Sequence, residues 1–190
     1  DEDRFAVFDT RDGRSLGTFG RDYDDDRRLN KPVGLALFSD GGLVIADRDN
    51  HRVVVFSADL TSLLASFPLR EAWGVALSPD DELFAWAEEG LSIVRIPLDG
   101  GPHQAVAAEL LTGPVQDIKF DAQGNLFILE QGTSRVTVLD STLEQVLVRL
   151  GGRDSRFEAT HLSLDALGNV YLANLEEGRT LVYRWDAHLP

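Results

Sequence analysis

A sixteen-residue unit that returns three times constrains this chain more than any single motif does. A polypeptide that copies itself at a fixed interval folds as stacked copies of one local structure. Arg4–Phe19, Arg52–Phe67 and Arg135–Leu150 align without gaps. A second unit occurs at Val33–Asp47, Trp73–Ala87 and Thr160–Asn174, and at Val115–Glu130 with one extra residue. The apolar residues after its central turn, Leu43, Leu83, Leu126 and Val170, stand 40, 43 and 44 residues apart, a period of about 42.

Each copy of the second unit joins two runs of Val, Ile, Leu and Phe through a turn: Ser39–Gly42, Pro79–Asp81, Ala122–Asn125 or Ala166–Asn169. Gly and Asn accept the positive φ of hairpin turns, and branched and aromatic residues on both sides favour pleated strands over helix. The sixteen-residue unit is a further strand pair, with Asp12-Gly13 its clearest turn and Ser141-Thr142 a weaker one. Four antiparallel strands per period make an all-β β-propeller built of four-stranded blades.

In the best-defined blade the pattern predicts strands a at 33–38, b at 43–47, c at 52–57 and d at 62–67. The whole chain reads as one propeller domain: a partial blade at 4–19, blades at 33–67, 73–110 and 115–151, and a partial blade at 160–186 with strand c at Leu181–Asp186. An open arc leaves two apolar blade faces uncovered. The expected architecture is therefore a portion of a six-bladed ring of roughly 250 residues. A compact five-bladed ring, with the N-terminal strands joining the last blade, is the other arrangement, and it supplies that blade's strand c twice. The opening Asp1-Glu2-Asp3 and the lack of Met fit a piece of a longer protein.

Composition narrows the function. Thirty-two acidic against eighteen basic residues give a net charge of −14, which opposes docking of a polyanion, so nucleic acid is not the expected partner. No run of eighteen apolar residues is present, so membrane insertion through a helix is not expected. Without cysteine there is no disulfide, thiolate nucleophile or Cys-type zinc site.

Lys31–Phe56 carries Pro32, Gly34, Gly42, Ala46, Asp47, Asn50, His51, Arg52 and Phe56 at the spacing of the NHL-repeat propellers, which it resembles closely. Arg52 stands where the name-giving motif has Leu, a common variation. The later blades keep the spacing, but Ala87-Glu88-Glu89-Gly90 and Leu129–Arg135 lose the Asp and Asn. The resemblance implies a propeller whose loop face, made of the b-to-c and d-to-a connections, meets a partner. On that face the register puts Arg48, His51, Trp73, Glu88, Gln116, Glu130, His161 and Asn174 as candidate binding residues, with Glu89, Gln131, Glu176 and Glu177 nearby.

Asp47, Asn50 and Arg52 read as a local capping network, because Asp and Asn side chains hold turn amides and Arg pairs with a nearby carboxylate. Trp86 and Trp185, inside strands, read as packing between blades. The run Asp22–Asp26 lacks the central Gly and distal Glu of a calcium loop and reads as a solvated connection. His103, His161 and His188 occupy unlike repeat positions, so no catalytic residue, metal or cofactor is assigned. The expected function is a non-catalytic scaffold that binds a protein or peptide, of basic character given the chain's charge. The runner-up is a metal-dependent six-bladed enzyme of lactonase or lyase type, with Asp47, Glu88, Glu130 and Asn174 at strand-b ends as the acids that would converge.

Overall fold

The structure, a computed structural model, describes residues 3–20, 23–87, 90, 92–151, 158–174 and 178–184. Its strands form five antiparallel sheets in chain order. A two-stranded sheet pairs β1 (Phe5–Phe8) with β2 (Ser15–Phe19). The next sheet runs β3 (Pro32–Leu37), β4 (Leu43–Asp47), β5 (Arg52–Phe56) and β6 (Leu63–Pro68). Then come β7 (Ala72–Leu77), β8 (Leu83–Ala87), β9 (Ile93–Ile96) and β10 (Gln104–Val106). The fourth sheet is β11 (Val115–Phe120), β12 (Leu126–Glu130), β13 (Val136–Leu139) and β14 (Val146–Leu150). The last is β15 (His161–Leu164), β16 (Val170–Asn174) and β17 (Arg179–Tyr183). The chain is thus an all-β propeller arc.

The boundaries follow the repeat to within a residue in the second blade. Residues 60–65 form no helical turn: Leu60 takes φ 61° in the c-to-d turn and β6 starts at Leu63. Strand c of the last blade begins at Arg179, ahead of the expected Leu181, while Trp185 and Asp186 lie outside the described residues. Since β17 pairs along the whole of β16, strand c of that blade is filled by its own chain, and β1–β2 stands as a separate sheet.

The a-to-b turns show how a local rule is met by different residues. Gly41, Gly124 and Gly168 take the left-handed conformation in three of them, and Asp81 does so at φ 60° in the fourth. Asp81 gains a compensating role: its carboxylate accepts the amide of Ser39 from the neighbouring blade at 3.0 Å. In the later turns Asp121 and Asp165 accept the amides of Asn125 and Asn169, closing the hairpins with their own side chains.

The core is a set of layers between blades. Val44, Ala46, Val53 and Val55 on one face of the second blade meet Val75, Leu83, Ala85 and Ile96 of the third. The other face of the third blade, with Phe84, Trp86 and Ile93, meets Ile118, Leu126 and Ile128 of the fourth. Phe127, Leu129, Val136 and Val138 then meet Leu162, Val170 and Leu172. A strand buried on both faces needs apolar residues at every position. All five residues of β4 are accordingly buried, including Asp47. The innermost strands pack in sequence, β3 on β7, β7 on β11 and β11 on β15, and so circle one axis.

Candidate functional site

Near the start of strand a, three blades carry a β-bulge in the same place. The partners of β4, β8 and β12 skip Val33, Trp73 and Gln116, respectively. A bulged residue is unpaired and its side chain is re-aimed. Here the bulges, with Thr160 just ahead of β15, set four side chains at one register position around the axis, and all four line a cavity of about 360 Å³. The register also corrects the repeat: Gln116–Glu130 matches Val33–Asp47 without an insertion, and the buried Val115 pairs with Glu130 as Pro32 pairs with Asp47.

The cavity has an apolar side, with Val33, Leu35, Val75 and the indoles of Trp73 and Trp86, and a polar side from the fourth and fifth blades. On the polar side Gln116 Nε2 donates to the Thr160 carbonyl at 3.2 Å, and His161 Nδ1 lies 3.1 Å from Thr160 Oγ1. Arg48 crosses from the second blade so that its guanidinium lies 4.7 Å from the centre of the Trp73 ring. That is cation–π geometry, which holds the indole at the channel mouth.

Two cavity residues escaped the sequence reading. Asp117 accepts Lys119 Nζ at 3.0 Å and the Leu162 amide at 2.9 Å, tying the fourth blade to the fifth. Their signal was the polar-polar-apolar-polar order of Gln116-Asp117-Ile118-Lys119, shared with Thr160-His161-Leu162-Ser163 and absent from strands a of the second and third blades.

The remaining candidates lie elsewhere. His51 takes φ 54°, and its Nδ1 accepts the Glu71 amide at 3.2 Å, joining the b-to-c loop to the next d-to-a connection outside the cavity lining. Glu88 lies outside the described residues, as do Glu89, Glu176 and Glu177; strand b of the third blade ends in Ala87.

Glu130 and Asn174 are corrections. Both are buried, so neither is presented to a partner. Glu130, 1% exposed, accepts the Thr112 amide at 3.2 Å and the Thr137 hydroxyl at 2.9 Å, and also pairs with the Thr112 hydroxyl. Arg135 stands 3.8 Å away. This is the arrangement of Asp47, which accepts Asn30 N at 2.7 Å, Asn50 Nδ2 at 2.8 Å and Arg52 Nε at 2.8 Å. The fourth blade therefore keeps the strand-b carboxylate with one more methylene and replaces the asparagine donor by threonine. Each carboxylate is spent inside its own blade. Among the described residues no three His, Asp or Glu come together as a metal site, and no helix is long and apolar enough to cross a membrane.

The architecture defines the chain as a β-propeller, and solved structures share it. A streptogramin B lyase structure superposes with a TM-score of 0.71 at 12% identity, covering 98% of this chain and 63% of that one. The virginiamycin B lyase of Staphylococcus aureus gives 0.63 at 13% identity, over 90% and 59%. The β-propeller domain of Cps50 (Swd1) from Myceliophteria thermophila gives 0.67 at 12%, over 89% and 55%. The chain thus spans less than two thirds of the length of these structures, and at such identity the likeness is one of fold. No curated protein matches the sequence. Within the propeller, residues 29–56 match the NHL repeat, so the second blade is an NHL blade.

Proposed function

We propose that this propeller is a non-catalytic scaffold whose loop face binds a protein or peptide at the channel mouth. The observation that carries the reading is the division of polar groups. Asp47 and Glu130 are turned into their own blades, while Trp73 under Arg48, Gln116, Thr160 and His161 surround an open cavity. Aromatic anchors beside fixed polar groups suit recognition, because little side-chain freedom remains to be lost on binding. A net charge of −14 steers a basic segment towards such a face.

Selection of random peptides on the immobilised chain, with Trp73→Ala as the counter-target, tests this. Enriched peptides carry net positive charge and bind the variant at least tenfold more weakly. Peptides that bind both forms equally refute the reading.

The lyase structures that share the fold keep a metal-dependent enzyme as the second reading. A metal bound only by the folded chain raises the melting temperature by mass action. The scaffold reading expects no rise with millimolar calcium, magnesium or manganese, and a saturable rise favours the enzyme.

A further inference from the structure

The groups around Thr160 fix one proton position on the cavity wall. Thr160 Oγ1 lies 3.1 Å from the Ala173 carbonyl oxygen and 3.1 Å from His161 Nδ1. A hydroxyl has one proton to give, and a carbonyl oxygen only accepts. With that proton on the imidazole side, two oxygens face each other at hydrogen-bond distance with nothing between them. The arrangement that satisfies both contacts sends the hydroxyl proton to Ala173 and has His161 Nδ1 donate to Oγ1. The neutral imidazole of His161 therefore carries its proton on Nδ1, and its Nε2 presents a lone pair.

Gln116 is oriented by the same logic. Its Nε2 donates to the Thr160 carbonyl at 3.2 Å, so Oε1 is the end of the amide turned away from Thr160. Gln116 is half-buried and His161 exposed, and both line the cavity that the indoles of Trp73 and Trp86 also line. The charges around the imidazole balance locally. Asp117 and Lys119 of β11 pair with each other at 3.0 Å, β16 sets the uncharged Ala173 opposite His161, and Arg48 is held over the Trp73 ring. The two polar groups on Thr160 thus offer acceptors, Oε1 and Nε2, beside an apolar wall.

We propose that Gln116 Oε1 and Nε2 of neutral His161 form a subsite for the cationic N–H donors of a lysine or arginine side chain, whose aliphatic stem lies along the indole side. The inference rests on the reading of the channel mouth as a peptide site and names the group of the peptide that enters it. Thr160 is the positioning residue, because its hydroxyl keeps the imidazole proton on Nδ1. A second proton makes Nε2 a donor and the ring a cation, so the subsite rejects its ligand in acid.

Acetyl-Gly-Lys-Gly amide is the probe, with its arginine and norleucine counterparts, followed by nitrogen NMR of the labelled protein. The lysine and arginine probes shift the His161 Nε2 and Gln116 side-chain resonances saturably, and the norleucine probe binds at least tenfold more weakly. Affinity for the lysine probe falls at least tenfold from about pH 8 to about pH 5, the span in which an imidazole gains its second proton. His161→Gln abolishes that pH dependence. Thr160→Val keeps the backbone amide on the Ala173 carbonyl, frees the imidazole proton to move to Nε2, and weakens the lysine probe while leaving the norleucine probe unchanged. Three outcomes overturn the proposal: no shift at Nε2 with hundreds of millimolar lysine probe, equal affinity for lysine and norleucine, or a pH dependence that survives His161→Gln. Where peptides that depend on Trp73 are nevertheless selected, the subsite alone is lost and the scaffold reading stands.

Discussion

The indole of Trp86 lies across Gly74, so close that a β-carbon on the glycine would stand 2.1 Å from Trp86 Cζ2. The two residues are partners across β7 and β8, and the absent side chain lets the ring reach over the innermost strand to the channel cavity. Gly74→Ala forces a buried ring aside and is expected to cost about 3 kcal/mol, the upper range for overpacking. Urea unfolding measures this. Trp86→Phe in the Gly74→Ala background recovers part of the loss, since residues in contact are not additive.

The carboxylate of Asp47 is fully buried with three donors on it. Asp47→Ala leaves the Arg52 guanidinium and two further donors without their acceptor. Breaking a buried pair from one side costs about 3–5 kcal/mol, and the expected result is loss of the NHL blade's cooperative transition in thermal unfolding. Thr112→Val acts on the matching cluster around Glu130, where one hydroxyl is removed while the backbone amide stays, and costs about 1–2 kcal/mol.

Acid acts through the exposed turns. Asn169 donates to Asp165 and lowers its pKa from the ordinary 3.8. The Thr142 hydroxyl does the same for Asp140, and Ser57 for Asp59. A carboxyl whose folded pKa lies below its unfolded value adds stability that is present above the unfolded value and is lost as pH falls through the folded one. The urea midpoint is therefore expected to decrease as pH drops through the lowered values of these carboxyls. In the Asp59→Asn, Asp140→Asn, Asp165→Asn triple variant that fall is shallower. Equal slopes for the two proteins contradict the assignment.

Tryptophan emission reports on the channel mouth. The cation–π contact of Arg48 holds the Trp73 ring, and Arg48→Ala is expected to free it. Trp73 then becomes more accessible to an iodide quencher, with the melting temperature lowered by no more than about 4 °C, since a contact of this kind is worth about 0.5–1 kcal/mol.

The blade plan was legible in the residues because short runs of Val, Ile, Leu and Phe, continuous or alternating, are cut by Gly and Asn turns and recur along the chain. The same repeat marked Asp47, Asn50 and Arg52 as partners, and they are bonded as expected. What stayed hidden depends on geometry that spacing does not encode. A bulge moves Gln116 into the place that alignment assigns to Val115. Glu130 bonds Thr112 of the connection before its blade, as Asp47 bonds Asn30, and so is a buried acid where the residues alone suggest a surface one. The crossing of Gly74 by Trp86 is a contact between neighbouring strands, and glycine alone does not announce which ring will use the space.

The central claim is that binding occurs at the bulge-built mouth of the channel, and amide chemical-shift mapping of the labelled chain with a selected basic peptide tests it most directly. The account predicts shifts concentrated at Arg48, Trp73, Gln116, Thr160 and His161, with the outer strands β6, β10 and β14 unmoved. Shifts confined to those outer strands, or to the turns at Gly41, Asp81, Gly124 and Gly168 on the opposite face, contradict it.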